Sequence, residues 1–153
     1  VAEALAQMFN RIGIEASVET MTKAVYFKRA SRGGPNESPE FSFMLLGWGA
    51  GSGEASSPLK ALLHTYDKSK GMGAANRGRH SDPRVDELIQ KALATVDSDA
   101  RGKLLAEATE IAVGKNFGVI PVHYQQNTWA SKKGYKYTPR TDERTIVMDL
   151  KTQ

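Results

Sequence analysis

The stretch "SDPRVDELIQKALATVDSDARGKLLAEATEIA" constrains this chain more than any other, because it carries two helix starts in tandem. Asp82 followed by Pro83 is a capping residue followed by proline at the first helical position, where its missing N–H costs nothing. Behind it, Val85, Leu88, Ile89, Ala92 and Leu93 recur at helical spacing and predict one apolar face. The "DSD" run caps a second helix in the same way, with Leu104, Leu105, Ala108, Ile111 and Ala112 facing inward. The chain's 153 residues and 40% hydrophobic content are enough for one domain with a real core.

Upstream, the pattern changes period. "VAEALAQMFNRIGI" places Leu5, Met8, Phe9 and Ile12 on one helical face, and it opens in mid-pattern without a capping residue. That opening predicts a piece excised from a longer protein. "IEASVET" (Ile14–Thr20) alternates apolar and polar residues, as a half-buried strand does. "TKAVYFKRA" (Thr22–Ala30) reads as a short helix with Thr22 as N-cap, and "SRGGPNESP" as a surface loop. The near-continuous apolar run "FSFMLLGW" predicts a strand buried on both faces. Strand, helix, strand in this order predicts a right-handed crossover between parallel strands.

Just past the second predicted strand comes "GWGAGSGEASS" (Gly47–Ser57), with glycines at 47, 49, 51 and 53 around one tryptophan. Glycine loses more backbone freedom on ordering than any other residue, so such a loop either moves or lets something approach its backbone closely. In open α/β sheets the carboxyl ends of the strands are where ligands bind. Ser57-Pro58 then predicts the start of another helix, "PLKALLHT". Residues 66–79 are polar and glycine-rich, hence a loop. "FGVIPVHYQQ" (Phe117–Gln126) is a strand with a proline inside, an edge or a bend. The last thirty or so residues show only short strand-like runs.

Several chemistries are excluded or unsupported. Without cysteine there is no disulfide, thiolate nucleophile or cysteine zinc site. No run approaches the roughly 18 apolar residues of a membrane span, so no membrane insertion by this chain is expected. A net charge of +4 with scattered lysines and arginines lacks the clustered basic stripe of a nucleic-acid surface. His64, His80 and His123 lack metal-ligand spacing and read as lone surface or loop histidines. The glycine loop satisfies neither G-x-G-x-x-G nor a G-K-[ST] ending, and no serine sits in a G-x-S-x-G elbow. Glu107 and Glu110 read as a solvated helix face. Asn36-Glu37-Ser38 matches a glycosylation sequon, a triplet common by chance. Neither enzymatic activity nor a cofactor is expected.

Taken collinearly, "ALAQMFNRIGIEASVETM", "YFKRAS", "FSFMLLGWGA", the tandem helices, "IPVHY" and "TWASKKGYKYTPRTDERT" resemble the C-terminal part of bacterial extracellular solute-binding proteins of family 5. These are the peptide- and nickel-type receptors of ABC importers. The resemblance implies an α/β fold, a mixed sheet with flanking helices, in the second lobe of a two-lobed class II receptor. Residues 1–125 would form the C-terminal part of that lobe, with a hinge near "VHYQQN". Residues 126–153 would return to the first lobe. It further implies a periplasmic or lipid-anchored extracellular parent, a permease partner, no catalysis, and a peptide or peptide-like solute held between closing lobes. In peptide-binding members an aspartate three residues after the tryptophan pairs with the ligand's ammonium. Here that residue is Gly51. Glu54 is the nearby acid able to substitute, or the solute is not a peptide: a nickel complex, opine, sugar or haem. On this basis Trp48, Gly49, Ala50, Gly51, Glu54 and Asn76 are the candidate ligand-binding residues, with Arg77 and Tyr124 weaker. Other classes remain open at this point: an α/β enzyme domain whose active site is completed by other sequence, or an interaction module. The tail is expected to fold back on the sheet or to pair with a second copy in a strand-pairing dimer.

Overall fold

The two capped helices form as their sequence dictates, and they organise the core. In the computed structural model, which describes residues 1–32, 39–140 and 142–152, α1 spans Ala2–Arg11, α2 Lys23–Arg32 and α3 Ser56–Leu62. Next come α4, Pro83–Ala94, and α5, Ser98–Thr109, which runs on into one π-helical turn, Glu110–Lys115. Asp82 accepts hydrogen bonds from the backbone N–H of Arg84 and Val85, and Asp97 from that of Ala100. Both caps satisfy helix-end donors that have no partner inside the helix.

The core is the junction of α3, α4, α5 and the π turn. Val85, Leu88, Ile89 and Ala92 of α4 meet Leu105 and Ala108 of α5, Ala112 of the turn, and Leu59 and Leu63 from α3 and its end. Each fully buried valine, leucine or isoleucine contributes about 1.5–3 kcal/mol. Leu93, placed on the apolar face by periodicity, is exposed. It is not among the residues packed into the core cluster. Glu107 is not merely solvated: Arg84 bridges it to Glu87 at 2.7 and 2.9 Å, tying α5 to α4.

The predicted strands do not form ladders. Residues 14–20, 41–48 and 117–126 belong to no strand, so the parallel crossover is absent among the described residues. Alternation specifies which side of a strand is apolar, but a ladder needs a neighbouring chain segment in register. In its place, residues 41–45 are held by side chains. Tyr26 stacks on Phe41 (5.7 Å between centroids) and donates its hydroxyl to the Leu45 carbonyl at 2.7 Å. Phe43 packs edge-on against Phe9 of α1 at 5.7 Å, and Arg29 lies over Phe41 while bridging Glu19 and Glu40. Burial pushes the Tyr26 phenol pKa up. Thr22 precedes α2 as expected, its carbonyl accepting from Tyr26 N–H. α3 starts at Ser56 with Ala55 as cap, earlier than the Ser57-Pro58 signal; Pro58 is tolerated because it still falls in the first turn. The Asn36-Glu37-Ser38 triplet lies outside the described residues.

The chain divides into two compact units, Val1–Val119 and Ile120–Gln153. In the second, β1 (Tyr135–Tyr137) and β2 (Leu150–Thr152) pair antiparallel with Tyr135 opposite Thr152 and Tyr137 opposite Leu150. The tail therefore pairs within itself. Trp129 donates its indole N–H to Thr145 Oγ1 at 2.9 Å and lies 5.9 Å from Tyr137. Arg140 grips Asp142 through two hydrogen bonds and holds its carboxyl down to about 2. The architecture is thus helical with one small antiparallel sheet. Among the described residues, no helix is long and apolar enough to cross a membrane.

Candidate functional site

The glycine loop begins where the side-chain clamp on Leu45 ends. From Gly47 to Ala50 the backbone is irregular. The loop then turns, Gly53 N–H donating to the Ala50 carbonyl at 3.0 Å with Gly53 at φ +75°. That left-handed conformation explains Gly53, since a side chain there would be strained. It does not explain the others. A Cβ added at Gly47, Gly49 or Gly51 would meet nothing within 4 Å. The chain's own packing therefore imposes no requirement for glycine at these three positions. Trp48 stands among them 46% exposed, not packed into the core. Gly49, Ala50 and Gly51 are exposed beside it.

Glu54 sits on the far side of the turn and is already engaged. Its carboxylate accepts from the Ser56 hydroxyl and lies 3.4 Å from Arg101 Nε. Arg101 is in turn fixed by Nη1 donating to the Thr95 and Val96 carbonyls, both at 3.1 Å. Glu54 thus anchors the start of α3 to α5, and its charge is largely matched within the protein.

Asn76 is placed apart from this loop's surface group by its chemistry. It is 4% exposed, and its amide is fully used. Nδ2 donates to the carbonyls of His64 (3.0 Å) and His80 (2.7 Å), while Oδ1 accepts from His80 N–H at 3.0 Å. Asn76 holds the 64–80 loop closed. Arg77 lies over the Phe27 ring and donates to Ser31, and Tyr124 is fully exposed.

A buried polar hub that sequence reasoning missed surrounds Asn76. His64, expected at the surface, is 3% exposed. Its Nδ1–H donates to the Thr65 carbonyl at 2.7 Å, so Nε2 accepts from Gln90 Nε2 at 2.9 Å. Asp86 lies 3.5 Å from Nδ1 and accepts from Thr65 N–H. His80 donates Nδ1–H to the Leu63 carbonyl, and Asn116 donates to Asp82 at 2.7 Å. That Asn116 bond, with the N–H groups of α4, keeps the Asp82 carboxyl below the usual carboxylate range. Every partner in this hub is a structural one. Buried polar groups must be satisfied, and here they are, by side chains far apart in sequence. Replacing Asn76 by alanine strands the His64 carbonyl in the interior. The expected loss is about 2–3 kcal/mol, measured as a lower urea midpoint. A change under about 0.5 kcal/mol would show that the loop closes without it.

No family model matches the chain, and no solved structure does. Among curated proteins it is similar to Heme-binding protein A of Haemophilus influenzae. The two are 27% identical over 122 residues, which is 80% of this chain and 20% of that protein. The chain therefore spans about a fifth of that relative's length. This is a distant likeness to part of a longer binding protein.

Proposed function

We propose that this chain is part of a family 5 solute-binding receptor, and that Trp48–Gly51 is its contribution to the ligand cleft. The observation that supports this most directly is an indole left nearly half exposed between glycines whose missing side chains the protein's own packing does not require. An exposed tryptophan offers a large rigid apolar face, and adjacent glycine backbone offers N–H and C=O groups that a ligand can reach. The likeness to a protein named for binding agrees with a receptor role. The role is capture and release to an ABC permease, without catalysis, in a periplasmic or lipid-anchored parent.

The solute we propose first is a peptide or peptide-like molecule. Haem is the second reading, favoured by the relative's name. For a planar porphyrin, Trp48 supplies a stacking face and no charge is needed at Gly51.

A cleft formed by two lobes is only half present on one of them, so affinity for this chain alone is expected no tighter than about 1 mM. Nuclear magnetic resonance titration with a tripeptide and with diamagnetic gallium protoporphyrin tests the reading. Shifts should concentrate at the Trp48 indole and the amides of residues 47–54, and Trp48→Ala should abolish them with little loss of stability. Absence of shifts with either ligand would count against the site. Turnover of either ligand would point to an enzyme.

A further inference from the structure

We propose that the second compact unit carries a ligand site of its own, a pocket for a small aromatic carboxylate, beyond the solute-binding role of Trp48–Gly51. The pocket has a volume of about 300 Å³, at the lower end of the range for small-molecule sites. Strand alternation builds one wall. Tyr135 and Tyr137 lie on one face of β1, opposite Thr152 and Leu150, while Lys136 and Lys151 oppose each other on the other face. Trp129 and Val147 extend the apolar lining.

Most polar groups around the pocket are already used within the chain. Trp129 gives its indole N–H to Thr145, and Ser131 its hydroxyl to the Tyr135 carbonyl, both at 2.9 Å. The Tyr137 hydroxyl donates to the Arg144 carbonyl at 2.9 Å and accepts from Ile146 N–H. An occupant's apolar part therefore meets a lining that asks for no hydrogen bond, and its burial is favourable. Two lining side chains differ. The Lys132 ammonium and the Tyr135 hydroxyl bond to no described residue, and both can donate. They stand at the two ends of one tight turn. Tyr135 N–H donates to the Lys132 carbonyl at 3.1 Å, and Gly134 at φ +92° makes it a type II turn.

Charge decides what those donors suit. The unit Ile120–Gln153 carries six lysines and arginines against three acids. Arg140 already engages two of the acids, Asp142 and Asp149. The third, Glu143, forms no ion pair with a described lysine. Among the described residues, nothing neutralises Lys132. An aromatic lining also suits a cation, but a cationic ligand would meet Lys132. An anion carried on a ring satisfies both parts: the ring lies against Trp129 and Tyr137, and the carboxylate faces Lys132 and Tyr135. Such a group comes as a free acid or as the C-terminal aromatic residue of a peptide.

Nuclear magnetic resonance titration of the whole chain tests the site, because its two tryptophan indoles report separately. With hydrocinnamate, the Trp129 indole and the amides of residues 129–137 and 145–150 should shift, with a dissociation constant of about 1 mM. The uncharged hydrocinnamamide should bind at least about fivefold more weakly. Lys132→Gln should weaken the acid about fivefold and leave the amide unchanged, and Tyr135→Phe should weaken the acid about twofold. Both residues are exposed, so the fold is expected to survive these changes. Lys136→Gln, on the opposite face, is the control and should change binding by less than about twofold. N-acetyl-glycyl-phenylalanine separates the two sources: tighter binding than hydrocinnamate assigns the site to a peptide terminus, weaker binding to a free acid. No shift at Trp129 up to about 20 mM hydrocinnamate overturns the proposal. So does equal binding of acid and amide, or an equal loss in the two lysine variants. A shift at Trp48 alone places the ligand on the glycine loop and overturns it too.

Discussion

Gly73→Ala is expected to cost more stability than the same change at any other described glycine, about 3–5 kcal/mol. Two independent effects converge there. Gly73 sits at φ +62°, where a side chain carries about 1–2 kcal/mol of strain. Its absent Cβ would lie 2.4 Å from the His64 carbonyl oxygen and under 3 Å from the Tyr66 N and Cα. All three are backbone atoms, and His64 is pinned by Thr65, Gln90 and Asn76, so nothing can swing aside. Gly71 provides the internal control, with φ +64° but open space around its Cβ. Gly71→Ala should therefore show the backbone strain alone, about 1–2 kcal/mol. Comparison of the two variants by urea denaturation isolates the packing part. Equal losses would mean that the close approach of Gly73 to His64 carries no weight. At Gly118 the near atoms include the tips of Leu63 and His80, at 2.6 and 2.8 Å. Side-chain tips can yield where backbone cannot, so a methyl there should cost less.

The contrast between these glycines shows where sequence reading stops. α4 and α5 were legible because a local signal, an aspartate cap and a 3.6-residue apolar period, is also what stabilises them. The apolar alternation of Ile14–Thr20 and the apolar run of Phe41–Leu46 were equally visible, yet they report only which residues avoid water. Whether a strand forms depends on a partner in register, and residues 41–45 found aromatic and hydroxyl contacts from α2 instead. His64 was invisible for a related reason. Its neighbours Gln90 and Asp86 lie more than twenty residues away on α4, outside the apolar face that periodicity reports. The candidate site divides the same way. Trp48 and its glycines were found by composition and stand at the surface. Asn76 is a candidate on the resemblance alone, and its amide serves the loop. Glu54 is a candidate by its charge, and no spacing rule reveals that Arg101, forty-seven residues on, already matches it.

That pairing sharpens the question of what Gly51 does, and Gly51→Asp should answer it. Position 51 tolerates the change: a Cβ meets nothing within 4 Å, and the residue is not among those with positive φ. Stability is expected to shift by no more than about 0.5 kcal/mol. Function should shift much further. With Glu54 engaged by Arg101 and Ser56, the exposed face around Trp48 has no free carboxylate from residues 47–54. A new aspartate would give a peptide ammonium a charge-assisted hydrogen bond, worth about 1.5–3 kcal/mol. The expected gain is about tenfold to hundredfold in affinity for a free-amine tripeptide. An N-acetylated tripeptide should gain nothing, because it carries no ammonium, and gallium protoporphyrin should bind as before. If both peptides gain equally, the effect is general attraction and not recognition of the amino terminus. If neither gains, the ammonium does not reach this loop, and the porphyrin reading becomes the stronger one. A gain confined to the free amine would mean that the loop is a peptide site lacking one charge, and that the glycine at 51 is what turns it toward other solutes.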